Sequence, residues 1–291
     1  MTTEFIADRQ IGMRPVLSSA NLPPTYTIEA MDEFGQTRSL AIPAERPLTV
    51  YVNNRELVTL MTLGLEPEAL ILGYLRNQRL VQHLADVASV QVDWQVDAAA
   101  VTTRSTLDDI DARTASRVVT TGCGQGSVFG SLIDAIDAVT LPADARITHS
   151  TVLRIVDTIR NQRSIYKQAG SVHGCALFSS QGELIYFVED VGRHNAVDAI
   201  AGKMWLNDLT GDDKIFYTTG RLTSEMVIKG AQMGIPFLLS RSGTTQMGHS
   251  VAQQVGMTLL ARCTGRHFLL LSGYERLVFD IDTLAPNLRV A

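Results

Sequence analysis

From residue 214 onward, strand-like apolar runs alternate with helical runs, and this alternation constrains the fold more than any other feature. Residues 214–218, 235–240, 257–263 and 268–271 read as strands. Residues 224–233 and 246–255 read as helices, the first capped by Thr223 or Ser224 with Glu225 in its opening turn. Such alternation builds a mainly parallel sheet with helices on its faces. Ligands of these sheets bind at strand-to-helix junctions. Two junctions here, Thr219-Gly220-Arg221 and residues 240–245 with Ser240, Arg241 and Ser242, offer hydroxyls, glycine backbone and arginine suited to phosphate oxygens. Each could also be a solvated turn. Together with Arg193 and His194 they would line one cleft.

A further junction lies upstream. The apolar run 183–188 reads as a buried strand, and a helix follows with Val197, Ile200, Ala201 and Met204 on one face. Between them stand Glu189, Asp190, a flexible Gly192, Arg193, His194 and Asn195. His, Arg and Asn are donors that an anion needs, at a helix terminus that favours negative charge. The alternative is a charged turn whose acids pair with Arg193. Residues 148–166 read as one amphipathic helix with Val152, Ile155, Val156 and Ile159 inward. Residues 175–178 and 183–188 form a hairpin around Gln181-Gly182, which places Cys175 in an apolar strand as a small core residue. His173, beside glycines at the strand's start, is either a structural histidine or a ligand contact.

The first half is built differently. Residues 1–24 lack periodicity and read as a tail. Residues 26–42 suggest a hairpin around residues 32–35, and 48–52 with 56–61 a second one turned by Asn53-Asn54, a pair that tolerates positive φ. Pro67 opens a helix carrying Leu70, Ile71, Tyr74 and Leu75, and residues 87–104 suggest another strand or two. The expected organisation is a tail (1–24), a small α+β domain (25–116), a connector with a mobile cysteine loop (117–147) and a larger α/β domain (148–291).

Residues 120–127, Thr-Thr-Gly-Cys-Gly-Gln-Gly-Ser, place Cys123 among three glycines. The stretch lacks the Gly-Lys-Ser/Thr ending of a phosphate-binding loop. No second cysteine or histidine stands nearby at metal-ligand spacing. It is either an ordinary glycine turn or a reactive thiol on a swinging arm, for which three glycines supply the freedom.

Charge and cysteine usage narrow the classes. A net charge of −5 argues against a general nucleic-acid binder. It leaves room for an anionic ligand, because Arg193, Lys203, Arg221, Lys229, Arg241, Arg262 and Arg266 all fall in the last third. The opening residues do not form a secretory signal, and no run approaches the roughly 18 apolar residues of a membrane span. Three widely spaced cysteines, Cys123, Cys175 and Cys263, fit a reducing cytoplasm better than a disulfide scaffold.

The ten residues from Glu189 to Asp198, Glu-Asp-Val-Gly-Arg-His-Asn-Ala-Val-Asp, resemble the signature of the formate dehydrogenase accessory sulfurtransferases, the FdhD or NarQ family. Residues 45–53, Met61, Pro67, Gly73-Tyr74-Leu75, the 168–177 segment around His173 and the stretch Phe268-Leu269-Leu270-Leu271-Ser272-Gly273 are similar to other parts of that family, so the resemblance spans roughly 45–280. It implies an α/β fold with a cytidine deaminase-like three-layer C-terminal domain around a mixed sheet, preceded by the smaller α+β domain. It implies a cytoplasmic sulfurtransferase that takes persulfide sulfur from a cysteine desulfurase onto Cys123. The sulfur would then go to a molybdenum bis(molybdopterin guanine dinucleotide) cofactor destined for formate dehydrogenase. Phe268–Gly273, His173, Arg193, His194, Arg221, Ser240 and Ser242 would contact that cofactor, with GDP as a surrogate ligand, although the apolar 268–271 run could equally be only an edge strand. A homodimer is expected, with no nucleic-acid or membrane partner.

The family's loop carries Cys-x-x-Cys, whereas Gly126 stands at the second position here. A disulfide-resolved mechanism is therefore disfavoured and a single-cysteine relay stays open, beside a non-catalytic cofactor chaperone. Zinc deamination needs His-x-Glu and a later Pro-Cys-x-x-Cys. His173-Gly174-Cys175 and residues 219–224 supply neither, so no zinc is expected.

Overall fold

The computed structural model describes residues 14–104, 118–119, 126–127, 136 and 139–281. The first half forms a sheet of five strands, β1 (Val16–Leu17), β4 (Arg46–Val52), β5 (Arg55–Thr62), β6 (Val87–Asp93) and β7 (Ala98–Thr103), in the order β1-β6-β7-β4-β5. Asn53 and Asn54 turn the β4–β5 hairpin with φ of 48° and 68°, the left-handed pair that the sequence predicts. Among the described residues, strands β2 (Thr25–Met31) and β3 (Thr37–Pro43) pair only with each other, as a separate ribbon. Residues 16–17 are not tail: β1 pairs with Ser89 and Val90 of β6, and Glu68 accepts hydrogen bonds from the Ser18 hydroxyl and the Ala20 N–H. These partners are distant in sequence, which is why periodicity does not reveal them.

Two short pairings follow. β8 (Val118–Val119) runs antiparallel to β9 (Gly126–Ser127), and β10 (Ile147–Thr148) lies beside β17 (Leu277–Val278). The second half is a six-stranded mixed sheet of β11 (His173–Phe178), β12 (Leu184–Asp190), β13 (Ile215–Thr218), β14 (Phe237–Ser240), β15 (Thr258–Thr264) and β16 (His267–Ser272), in the order β12-β11-β13-β14-β15-β16. Strands β13, β14 and β15 are parallel, while β11, β12 and β16 run antiparallel to their neighbours.

Alternate residues of the central strands serve opposite faces. Cys175, Leu177, Phe216, Leu238 and Leu259 join one core, and Ala176, Phe178, Ile215, Tyr217, Leu239 and Leu260 the other. Helix α2 (His149–Asn161) covers the second face through Val152, Ile155 and Val156. Helices α4 (Arg193–Leu206), α5 (Ser224–Gln232) and α6 (Gln246–Gln254) cover the first. The result is three layers with both sheet faces buried, as βαβ connections require.

The helix expected over 148–166 is two elements. α2 stops at Asn161, and the five-residue α3 (Ile165–Ala169) begins after Ser164, whose hydroxyl accepts from the Lys167 N–H. The break has a distant cause: the Glu189 carboxylate accepts the Ile165 and Tyr166 N–H groups at 2.5 and 3.1 Å, which starts a new helix there.

Helix α1 (Pro67–Asn77) joins the halves. Ten of its residues are buried, far more than one amphipathic face. A Cβ on Gly73 would sit 1.6 Å from the Asp198 carbonyl oxygen, and one on Gly202 1.9 Å from that of Ala69. Backbones of α1 and α4 therefore touch where the helices cross, which only glycine permits. One apolar core runs from Leu48 and Val50 through Ile71 and Ala196 to Leu259.

Candidate functional site

The register of the second sheet gathers one end of every strand. His173 is opposite Asp190, Cys175 opposite Thr218, and Thr218 opposite Ser240. The carboxyl ends of the three parallel strands thus share an edge with the start of β11 and the end of β12, the usual ligand position in open α/β sheets. A cavity of about 690 Å³ opens there on the α2 side. Val156, Ile159, Phe187 and Tyr217 form its apolar wall, and Arg160, Lys167, His173, Glu189, Thr219 and Arg241 its polar one. The Arg241 guanidinium lies 5.7 Å from the centre of the Tyr166 ring, which also lines the cavity.

The signature residues lie mostly behind this wall, and the acids have structural duties. Asp190 accepts from the Thr62 hydroxyl at 2.6 Å, the Asn195 amide at 2.8 Å, the Leu63 N–H and the Gly192 N–H. Asn195 also donates to the Met61 carbonyl at 2.6 Å. These bonds tie the junction to β5 in the other half. Burial still pushes the Asp190 carboxyl above its usual range despite these donors. Gly192 adopts ordinary extended backbone, φ −112°, so the turn does not use the freedom expected of it.

His194 and Arg193 begin α4 and are buried. His194 Nε2 lies 3.4 Å from Glu225, Lys229 Nζ 3.6 Å from the same carboxylate and 2.8 Å from Asp198, and the Asn77 amide donates to Asp198 at 2.7 Å. Burial, with the charges of Lys229 and Arg193, drives the His194 pKa down to about 2, so the ring is neutral. Burial works against the Lys229 ammonium, but Asp198 and Glu225 outweigh it and keep it protonated. The Arg193 side chain packs on Gly220, where a Cβ would lie 2.7 Å from its Cδ. Among the described residues, its Nε and His194 Nδ1 are buried without hydrogen-bond partners.

The expected site residues therefore separate. His173 lines the cavity; burial, then the guanidinium groups of Arg193 and Arg221, lower its pKa and favour the neutral ring. Arg221 is exposed on the loop after β13. Ser240 is buried, donating to the Gly220 carbonyl at 2.6 Å and accepting from the Ser242 N–H, while the Ser242 carbonyl accepts from the Arg262 N–H. These serines shape the turn. Phe268–Gly273 forms edge strand β16 and its exit, and none of the six lines the cavity. Phe268 meets the His149 ring edge-on at 5.3 Å. Ser272 binds the Met257 carbonyl and the Leu259 N–H, and Gly273, at φ 68°, fits against Thr258. Cys123 lies outside the described residues, between β8 and β9.

Sequence reasoning missed Tyr166, Lys167, Arg160 and Tyr217 as lining. The i, i+4 pair Glu225 and Lys229 was a visible signal for the buried network. Asn77 offered none. Among the described residues no group of three or more His, Cys, Asp or Glu side chains could hold a metal ion.

The FdhD/NarQ family model matches residues 43–278. This chain belongs to that family. A relative named sulfur carrier protein FdhD from Listeria innocua is 30% identical over 241 residues, covering 81% of this chain and 91% of that protein. One of the same name from Saccharolobus solfataricus is 27% identical over 241 residues, with 81% and 90% covered. Among solved structures, a formate dehydrogenase accessory protein from Desulfotalea psychrophila matches with a TM-score of 0.70 and 25% identity, over 88% of this chain and all of that one. The mixed α/β architecture expected from the resemblance is thus shared with a crystal structure of the family.

Proposed function

We propose that this FdhD/NarQ chain is a sulfur carrier with Cys123 as its working thiol. One observation carries the choice of residue. Of three cysteines, Cys175 and Cys263 are buried in the sheet, 0% and 1% exposed, and burial pushes both thiols up to about 12. Attack on sulfur needs a thiolate, so neither can serve at neutral pH. Cys123 is left, in the segment bracketed by β8 and β9.

In this reading the Cys123 thiolate attacks the outer sulfur of a cysteine desulfurase persulfide. The donor's S–S bond breaks, its electron pair leaves with the donor thiolate, and Cys123 holds the outer sulfur. That sulfur is destined for the molybdenum bis(guanine dinucleotide) cofactor, the substrate, on its way to formate dehydrogenase. The cavity's Arg160, Lys167 and Arg241 supply positive charge, and Tyr166, Phe187 and Tyr217 aromatic surface, both suited to a nucleotide diphosphate.

Intact mass after incubation with a desulfurase and cysteine tests the carrier role. The wild type should gain one sulfur, about 32 Da, removable by reductant. Cys123→Ser should gain none and should fail to activate formate dehydrogenase. If Cys123→Ser still charges or still activates, the relay is wrong. If the wild type never charges yet supports activation, a cofactor chaperone replaces it. GDP should bind with salt-sensitive affinity, and Arg241→Ala should weaken it by about tenfold.

A further inference from the structure

The proposed ligand cavity has a cover. After α2 ends at Asn161, the chain crosses the cavity mouth and re-enters the sheet at His173, and three cover residues, Ser164, Tyr166 and Lys167, line the space. Few hydrogen bonds attach the cover, and α3 rests beside β3. None of the residues of α3 is buried. Lys167 Nζ binds the Arg160 and Gln162 carbonyls, and Ser164 caps α3, but these bonds are local. Among the described residues, the hydrogen bonds that tie 163–171 to the chain outside 159–171 are the two that Glu189 accepts from Ile165 and Tyr166.

Its downstream end has a hinge. Gly170 has φ 66° and ψ −163°, a conformation essentially reserved for glycine, with no atom within 4 Å of a Cβ built there. Ser171 follows at φ 52°. At the upstream end, Gln162 leaves the helix with extended backbone.

We propose that residues 162–171 are a hinged lid on this cavity and that Glu189 is its latch. Glu189 is a cavity-wall acid that would repel an anionic ligand, and its carboxylate is turned to the two lid amides. The same latch holds Tyr166 against Arg241 and keeps Lys167 at the rim. Release of two hydrogen bonds, with the Tyr166–Arg241 contact and the packing of α3 beside β3, frees the lid, whereas opening at any sheet strand would break a ladder. Opening admits a ligand too large to enter past Tyr166, and closure holds it among the basic side chains. This inference rests on the cavity being the ligand site, but its first test does not.

That test is hydrogen–deuterium exchange of the ligand-free protein. Glu189→Gln keeps the size but places an amide donor against the lid's N–H groups. Peptides covering 163–171 should exchange at least tenfold faster in Glu189→Gln than in wild type, with 174–178 and 215–240 unchanged. Unchanged exchange in 163–171, or equal acceleration across the whole sheet, overturns the latch. If Glu189→Gln does not fold, Gly170→Ala strains the closed hinge and should give the same local acceleration; its absence overturns the lid. With GDP as probe, the wild type should protect 163–171 further and Glu189→Gln should release GDP about tenfold faster. Equal release rates overturn the gate. No GDP binding by the wild type removes the proposed ligand site while the ligand-free comparison still decides the latch.

Discussion

His194 links burial to pH. Its ring stays neutral in the folded protein down to about 2, whereas an unfolded histidine takes a proton near 6.5. The folded state therefore binds fewer protons below that point. The stability His194 contributes is complete above about pH 6.5 and is lost as pH falls, by about 1.4 kcal/mol per unit. His173, also lowered, adds to the loss, while Glu225, raised by burial, takes up a proton in the folded state and opposes it. Urea unfolding at pH 7.5 and 5.5 should show a smaller stability loss for His194→Gln than for wild type. Equal losses would refute a neutral buried His194. Lys229 has the opposite problem, a charge fully buried between Asp198 and Glu225. Lys229→Met strands those carboxylates and should cost about 3–5 kcal/mol. Circular dichroism melts check this; a loss below about 1 kcal/mol would show that the network contributes little. Of these residues the sequence marks His194 and hints at Glu225 with Lys229. That the signature donors serve the interior is invisible in it, since Thr62, Met61 and Asn77 are more than a hundred residues away.

At the scale of elements, local pattern governs what local pattern can see. The strands around Phe216 and Leu238 and helices α5 and α6 lie within a residue or two of their expected bounds, because apolar runs and caps are properties of neighbouring residues. The Asn53-Asn54 turn is legible for the same reason. The split of α2 from α3 is not, because its cause is Glu189 on a distant strand. Nor is β1, which exists only by pairing with β6. The crossing of α1 and α4 hides behind two glycines that read as poor helix formers. Gly202→Ala puts a methyl within 1.9 Å of a carbonyl oxygen, where on a free helix it would be favourable. It should instead destabilise by at least about 2 kcal/mol, as overpacking does. A thermal midpoint equal to or above wild type would show that the helices slide apart at no cost.

Across the whole molecule, the two halves do not meet as separate domains would. Asp190 holds β5, Asn77 holds Asp198, Lys203 pairs with Glu66 at 2.6 Å, and the core continues through the helix crossing. The buried ties make separation costly, because breaking the bonds to Asp190 and Asp198 would leave buried carboxylates unsatisfied. Independent domains usually share a more modest and more polar contact. Linkage of this kind predicts cooperative unfolding. Calorimetry should give one transition with equal calorimetric and van't Hoff enthalpies. Asn77→Ala, far from the cavity, should lower the midpoint without splitting the transition, since it weakens one tie within a single cooperative unit. It should also loosen the start of α4, so exchange at 193–196 rises with that at 70–77. Two resolved transitions in the wild type, or a change confined to 70–77 in Asn77→Ala, would mean that the halves fold separately and that the signature helix does not depend on the first half for its position.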